Sequence, residues 1–262
     1  MKTRTIDVVD NISENEFNQK YFYPQKPLII RGLADKYPAG KKWTMDYIKQ
    51  VCGDVMVDIF DNNNKNSASA FTTPDLQMRF EEYANTIIEN KPTSLRMFLF
   101  NMFKERPELR KDFPCPALFK GLMGRIGFMF FGAKDIKVRI HQDMDMSNVM
   151  LTQFYGRKRV VLVAPKYSRL LYKLPFNTHS LIDLDHPDYN KYPGLKYIET
   201  FECVLEHGDS LFMPFDKLMN KVMGSRWLPF KEKLAKSRAD KEIKRIGGGG
   251  KEEHIGMQLQ PH

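Results

Sequence analysis

Short apolar runs closed by turn residues set the rhythm of this chain. Pro27-Leu28-Ile29-Ile30-Arg31-Gly32 is a β-branched run ended by glycine, and Val55 to Phe60 is a second that stops at Asp61-Asn62-Asn63-Asn64. Both predict strands. Between them Thr44 stands where an N-cap belongs, ahead of Met45-Asp46-Tyr47-Ile48, so a helix is expected to run to Cys52 and stop at Gly53. After Thr73-Pro74-Asp75, the apolar positions Met78, Phe80, Tyr83, Ile87 and Ile88 recur at roughly helical spacing and predict a helix over Leu76–Glu89. Leu95 to Phe103 is expected to be helical, at least in part.

From Ile136 the pattern shifts to short β runs separated by turn residues. Lys137–His141, Val149–Phe154, Arg159–Ala164, Phe201–Leu205 and Ser210–Met213 are the strand candidates, the rhythm of an antiparallel barrel or sandwich. Gly156, between Tyr155 and Arg157, predicts a hairpin joining two of these strands, and Gly208-Asp209 predicts another turn. Past Pro214 the periodicity becomes helical over Asp216–Met223 and Phe230–Arg245, both rich in Lys and Arg. Gly247-Gly248-Gly249-Gly250 then reads as a flexible linker or helix stop, and His254–Gln260 alternates like a strand. The expected division is an N-terminal helical and strand extension over 1–135, a barrel core over 136–214, basic helices over 215–246 and a tail over 247–262. No internal repeat is visible.

With 262 residues, 42% of them hydrophobic and 12% aromatic, the chain has material for a real core, and whole-chain disorder is excluded. No apolar run approaches the roughly 18 to 20 residues of a membrane span, since Phe128-Met129-Phe130-Phe131 is stopped by Gly127 and Gly132. Met1 to Asp10 lacks the apolar stretch of a signal peptide, so a cytoplasmic location and no membrane contact are expected. Cys52, Cys115 and Cys203 fit neither a disulfide framework nor a zinc ribbon and are expected to be reduced, mostly buried thiols. The formal net charge of +9 favours anionic partners such as nucleic acid, acidic protein segments or small carboxylates. A merely soluble basic surface is the competing account. Much of the surplus falls after Pro214, where the helices are expected to serve an anionic partner or a homodimer contact, against the reading of a solvated face with Glu232, Asp240 and Glu242 interspersed.

The candidate chemistry begins at Ile140-His141-Gln142-Asp143. On an extended strand residues two apart share a face, so His141 and Asp143 can converge on one ion. One imidazole and one carboxylate are two-thirds of the facial triad of non-haem Fe(II) oxygenases, which leaves the opposite face open for co-substrate and oxygen. Taken alone, His-x-Asp arises readily by chance. Downstream lie Asn148, then Gln153-Phe154-Tyr155-Gly156-Arg157-Lys158-Arg159-Val160, then Asp183-Leu184-Asp185-His186-Pro187-Asp188-Tyr189, then Glu206-His207-Gly208-Asp209-Ser210-Leu211-Phe212-Met213-Pro214. Upstream lie Phe17, Tyr21, Ile29-Ile30-Arg31-Gly32 and Trp43.

This ordered string resembles the JmjC and cupin-like hydroxylases, iron- and 2-oxoglutarate-dependent enzymes that include the asparaginyl hydroxylases, over approximately residues 15–214. The resemblance implies a mixed α/β chain with a mainly β core, a double-stranded β-helix of the cupin or jelly-roll kind. His141 and Asp143 match the first two metal ligands, Lys158 the lysine that pairs with the distal carboxylate of 2-oxoglutarate, and Asn148 a polar residue lining the co-substrate pocket. Asn148 and Lys158 lie one and two residues further from the histidine than in the asparaginyl hydroxylases, which suggests a bulge. For Lys158 the competing reading is a solvated turn lysine.

The pattern departs at the third ligand. Where the family places aromatic residues and a histidine after its Gly-Asp-x-Leu-Phe-x-Pro strand, Pro214 runs into Phe215-Asp216-Lys217-Leu218-Met219-Asn220. A segment that carries the third ligand is therefore expected to be missing. His207 sits in a turn, His179 and His186 in an excursion that reads as a surface loop, and His262 at the terminus; His254 is the histidine that could fold back to supply the third imidazole. The resemblance implies Fe(II) and 2-oxoglutarate as cofactors and hydroxylation of a protein side chain or small molecule. The alternative is a catalytically impaired binding module that uses the basic helices for an anionic partner.

Overall fold

The computed structural model describes residues 1–63, 74–119, 127–138, 140–141, 148–172, 180 and 182–214. The chain opens with β1 (Lys2–Thr5) and β2 (Asp7–Val9), separated by the single buried residue Ile6. Ile6 marks a crossing, because β1 joins one sheet and β2 another. The later strands are β3 (Leu28–Ile30), β4 (Met56–Asp61), β5 (Leu76–Arg79), β6 (Leu95–Phe100), β7 (Met129–Gly132), β8 (Val149–Thr152), β9 (Lys158–Val163), β10 (Glu199–Leu205) and β11 (Ser210–Met213). They form sheets of order β1-β10-β9, β2-β3-β11-β8 and β5-β4-β6-β7.

The first two sheets pack face to face. Alternation along each strand sends Ile29, Leu205 and Leu211 inward with Leu151, Val160, Leu162, Phe201, Cys203 and Met213, so one apolar layer is shared between them. The opposite face of the second sheet carries Leu28, Ile30 and Phe212, which bury Phe17 and Tyr21 from α1 (Glu14–Phe17) and the π-helical turn that continues it. After the short helix α2 (Pro38–Lys42), the third sheet packs Val57, Ile59 and Met97 against Ile48 and Cys52 of α3 (Met45–Cys52), Phe80, Tyr83 and Ala84 of α4 (Phe80–Ile88) and Met102 of α5 (Met102–Glu105). The result is a mostly β core with supporting helices, and its face-to-face sheets are consistent with a jelly roll.

Helix α3 follows its sequence signals. The Thr44 hydroxyl accepts the Tyr47 N–H at 3.1 Å, and the helix ends at Gly53. Behind it, Asp112 gathers the Lys42 ammonium at 2.9 Å, the Trp43 indole N–H at 3.3 Å and the Tyr47 hydroxyl, so the invariably costly burial of a carboxylate is met by three donors.

Several expectations change. Leu76–Glu89 is not one helix: Leu76–Arg79 is a strand, paired antiparallel to β4, and the helix begins at Phe80. Leu95–Phe100 is likewise a strand, held between β4 and β7, with only Met102–Glu105 helical. Both are short apolar runs whose periodicity does not separate strand from helix, and pairing with β4 decides the outcome. Gly156, at φ +65°, makes a turn but no hairpin, since β8 pairs with β11 and β9 with β10. The chain instead crosses from one sheet to the other between β8 and β9 and again between β10 and β11. Lys137–His141 forms no continuous strand among the described residues; Ser180 N–H donates to Ile140 O at 2.9 Å beside an isolated bridge at His141. The thiols are free, but only Cys52 is buried, and Cys115 is exposed. The helices expected over Asp216–Met223 and Phe230–Arg245, the Gly247–Gly250 linker and the His254–Gln260 strand lie outside the described residues. No helix among the described residues is long and apolar enough to cross a membrane.

Candidate active site

Two of the crossings between the face-to-face sheets bind each other. Residues 153–157 carry the chain from β8 to β9, and residues 206–209 carry it from β10 to β11. Gln153 N–H donates to Asp209 O at 2.9 Å and Gly208 N–H to Gln153 O at 2.8 Å, so both crossings close the same end of the sandwich. The His207 ring fixes them to the helical layer, with Nδ1 2.8 Å from Phe154 O and Nε2 2.7 Å from Gly40 O. Gly208 has φ +84°, and a Cβ there would meet the Asp35 carboxylate at 2.5 Å, so the turn needs glycine. The Asp209 carboxylate, 4% exposed, accepts from the Arg31 guanidinium, the Gly32 N–H at 3.2 Å and the Glu206 N–H at 2.9 Å.

Lys158 leaves this closed end as the first residue of β9, opposite Leu205. Residues two apart on a strand share a face, and Val160 and Leu162 belong to the apolar layer between the sheets. Lys158 therefore begins the inward row. Its half-buried ammonium has no carboxylate or hydrogen-bond partner among the described residues, and burial pushes its pKa below the ordinary lysine value. A cation held among apolar side chains without an anion is an incomplete pair.

Arg159, on the opposite face, is fully engaged: its guanidinium donates to Glu202 and to Asp185, each at 2.5 Å. Asp185 also takes the Lys137 ammonium at 2.5 Å, four residues before His141. One carboxylate thus clamps the segment leading to His141 against the strand that starts at Lys158. Ile140 reinforces the clamp by packing with Val163 of β9 onto Leu171, Ile182, Leu195 and Ile198.

These bonds, Lys137 first and Arg159 second, hold the Asp185 carboxylate down to about 2, from an ordinary 3.8. A depressed carboxylate contributes stability that is complete above its unfolded value and is lost as pH falls through its folded value. Asp185→Asn is expected to lower the melting temperature at pH 5, and the gap to the parent should close as pH falls toward 2. Added salt should shrink the gap as well. A pH-independent gap in a calorimetric series would contradict the assignment.

His141 is exposed at the isolated bridge, and Asn148 is half-buried immediately before β8. Asp143 and His254 lie outside the described residues. Among the described residues no group of three or more His, Cys, Asp or Glu is gathered as a metal would require. The feature that fits 2-oxoglutarate is Lys158, whose unpaired inward ammonium suits a carboxylate ligand. Sequence reasoning reached Lys158 and His141 but missed the Arg31–Asp209 pair and the Asp185 clamp. Asp209 read only as a turn residue and Asp185 only as part of a surface loop, because neither partner is near in sequence.

A model of the family described as a cupin-like domain matches residues 14–215. The chain belongs to the cupin-like domain family. This cupin-like chain is 30% identical over 224 residues to tRNA wybutosine-synthesizing protein 5 of Homo sapiens, covering 79% of the chain and 70% of that protein. It is 28% identical over 215 residues to lysine-specific demethylase 8 of Xenopus tropicalis, covering 77% of the chain and 46% of the relative. With JmjC domain-containing protein D of Dictyostelium discoideum the identity is 27% over 228 residues, covering 77% and 50%. The cupin-like chain spans about half the length of the latter two. The JmjC and cupin-like resemblance read from the sequence is thus shown, and the names of these relatives do not favour a non-catalytic binding module.

Proposed function

We propose that this chain is an Fe(II)- and 2-oxoglutarate-dependent oxygenase with a double-stranded β-helix core, hydroxylating a protein side chain or a small molecule. The observation that carries the reading is Lys158, an ammonium on the inner face of β9 with no anionic partner among the described residues. In this reading Lys158 holds the distal carboxylate of 2-oxoglutarate, Asn148 lines the same pocket, and His141 and Asp143 hold the metal, with His254 as the third ligand. Iron with 2-oxoglutarate would supply oxidation of an unactivated C–H bond by molecular oxygen, one oxygen atom ending in the hydroxyl product and the other in the succinate that 2-oxoglutarate yields with carbon dioxide.

The chain's own contribution is positioning. The apolar layer around Lys158 excludes water, which strengthens the ion pair that fixes the co-substrate. The Asp185 clamp holds the His141 segment against β9, so that metal ligands and carboxylate anchor stay in one frame.

The test is release of carbon dioxide from 2-oxoglutarate labelled at C1. Turnover is expected only with added Fe(II), and His141→Ala and Asp143→Ala should each lower it by at least about 100-fold. Turnover that persists in both variants would overturn the reading.

A further inference from the structure

The surface around the edge strand β1 is cationic and aromatic, and neither the sandwich interior nor the Asp185 clamp uses it. Lys2 and Arg4 lie two apart on β1 and share a face. Arg4 donates to Glu199 at 2.6 Å, and the Lys166 ammonium reaches the other oxygen of the same carboxylate at 3.9 Å. Next to them, the 3-10 turn Pro193–Tyr197 is tied to the start of β1 by Lys2 N–H donating to Ile198 O at 3.1 Å. It presents Lys196 and Tyr197, and Tyr197 is 74% exposed. Across it lies the 3-10 turn Pro165–Leu171, whose following residue Tyr172 accepts the Gly194 N–H at 3.0 Å.

Lysine and tyrosine alternate over this face. The Lys166 ammonium sits 4.7 Å from the Tyr167 ring centroid, and that of Lys191 5.3 Å from the Tyr192 ring, which packs on Tyr172 at 5.1 Å. The charges do not balance. Glu199 is shared by two cations, Asp188 is turned onto its own backbone at Asn190 and Lys191, and Lys2, Arg169, Lys191 and Lys196 make no ion pair among the described residues. Charge on an edge strand guards against strand addition, which accounts for Lys2 and Arg4. It does not account for lysine-tyrosine pairs on two turns outside the sheet, or for a tyrosine ring left three-quarters exposed.

We propose that this face binds single-stranded nucleic acid, with its lysines on the phosphates and Tyr197 stacked against a base. Unpaired cations supply the counterion-release attraction, and exposed rings accept bases that only a single strand can splay out. The 3-10 turn from Pro193 to Tyr197 extends roughly 10 Å at about 2 Å per residue, with Lys196 at one end and Lys191 just before the other, so adjacent phosphates can meet both. The proposal is independent of the oxygenase reading, because its readout is binding and the residues differ.

The test is fluorescence anisotropy of a labelled single-stranded RNA of about 15 nucleotides with the full chain, titrated at several KCl concentrations. Tyr197→Ala is expected to weaken binding about tenfold, with Tyr197→Phe near the parent. The double variant Lys166→Glu, Lys196→Glu should lower the slope of log affinity against log salt by about 1.4. In the unaltered chain, RNA should protect Lys166, Lys191 and Lys196 from acetylation. Parent-like affinity and slope in the variants, with these lysines unprotected, would place RNA binding elsewhere and overturn the proposal. Displacement of RNA by polyglutamate at equal charge concentration would overturn it too, in favour of an acidic protein segment, and so would the absence of binding at low salt.

Discussion

Asp209→Ala is expected to destabilise the fold by about 3–5 kcal/mol, the cost of removing a buried carboxylate that three donors share. The carboxylate is 4% exposed and receives three donors from two places in the chain: the Arg31 guanidinium and Gly32 N–H after β3, and the Glu206 N–H in the crossing from β10 to β11. Removing it leaves two backbone N–H groups and a guanidinium without their acceptor and cuts the link between the N-terminal strands and the closed end of the sandwich. For a chain of this size that loss corresponds to roughly 6–20 °C in melting temperature. Asp209→Asn keeps the volume and one acceptor and should cost less. Chemical denaturation measures both, and an Asp209→Ala midpoint equal to the parent's would show that the knot does not hold the two sheets together.

Lys158→Met separates stability from function. A lysine whose folded pKa is lowered binds fewer protons folded than unfolded, so the ligand-free protein carries a cost below the folded value that is relieved as pH rises toward the ordinary lysine range. Methionine keeps the length of the side chain and removes the charge, so Lys158→Met is expected to stabilise the ligand-free protein by about 1–2 kcal/mol at neutral pH. The same change should weaken 2-oxoglutarate binding roughly 10- to 150-fold, the worth of a charged hydrogen bond of about 1.5–3 kcal/mol. Calorimetric unfolding and titration of 2-oxoglutarate in the presence of Mn(II) read the two effects separately. A variant that is destabilised and binds normally would make Lys158 a structural residue. One that gains stability and loses binding has the signature of a functional group kept at the expense of the fold.

Five strands of the sandwich were legible because each is a short, largely apolar run near turn residues: β3, β8, β9, β10 and β11 all fall within a residue or two of the apolar runs that predict them. The Thr44 cap was legible for the same local reason. β5 and β6 were not, since Leu76–Arg79 and Leu95–Phe100 owe their extended state to pairing with β4, a tertiary fact. The Gly156 turn was visible in the sequence, but the sheet each flanking strand enters was not; turn chemistry fixes the reversal and distant partners fix the pairing. β1 and β2 were passed over because Lys2-Thr3-Arg4-Thr5 holds no apolar residue, Asp7-Val8-Val9 is only three residues long, and the core residue, Ile6, lies between them.

At the candidate site, His-x-Asp singled out His141 by spacing, while Lys158 came from the family resemblance. The inward row of β9, with Lys158 leading Val160 and Leu162, follows from alternation once the strand is placed. What joins the two, Asp185 between Lys137 and Arg159, spans 48 and 26 residues in sequence and leaves no local mark.

A crystal structure of the chain with Mn(II) and 2-oxoglutarate tests the central claim most directly. The account predicts the distal carboxylate on the Lys158 ammonium at the start of β9 and the metal on His141 and Asp143. A 2-oxoglutarate bound away from Lys158, or a metal held by neither of those side chains, would contradict it.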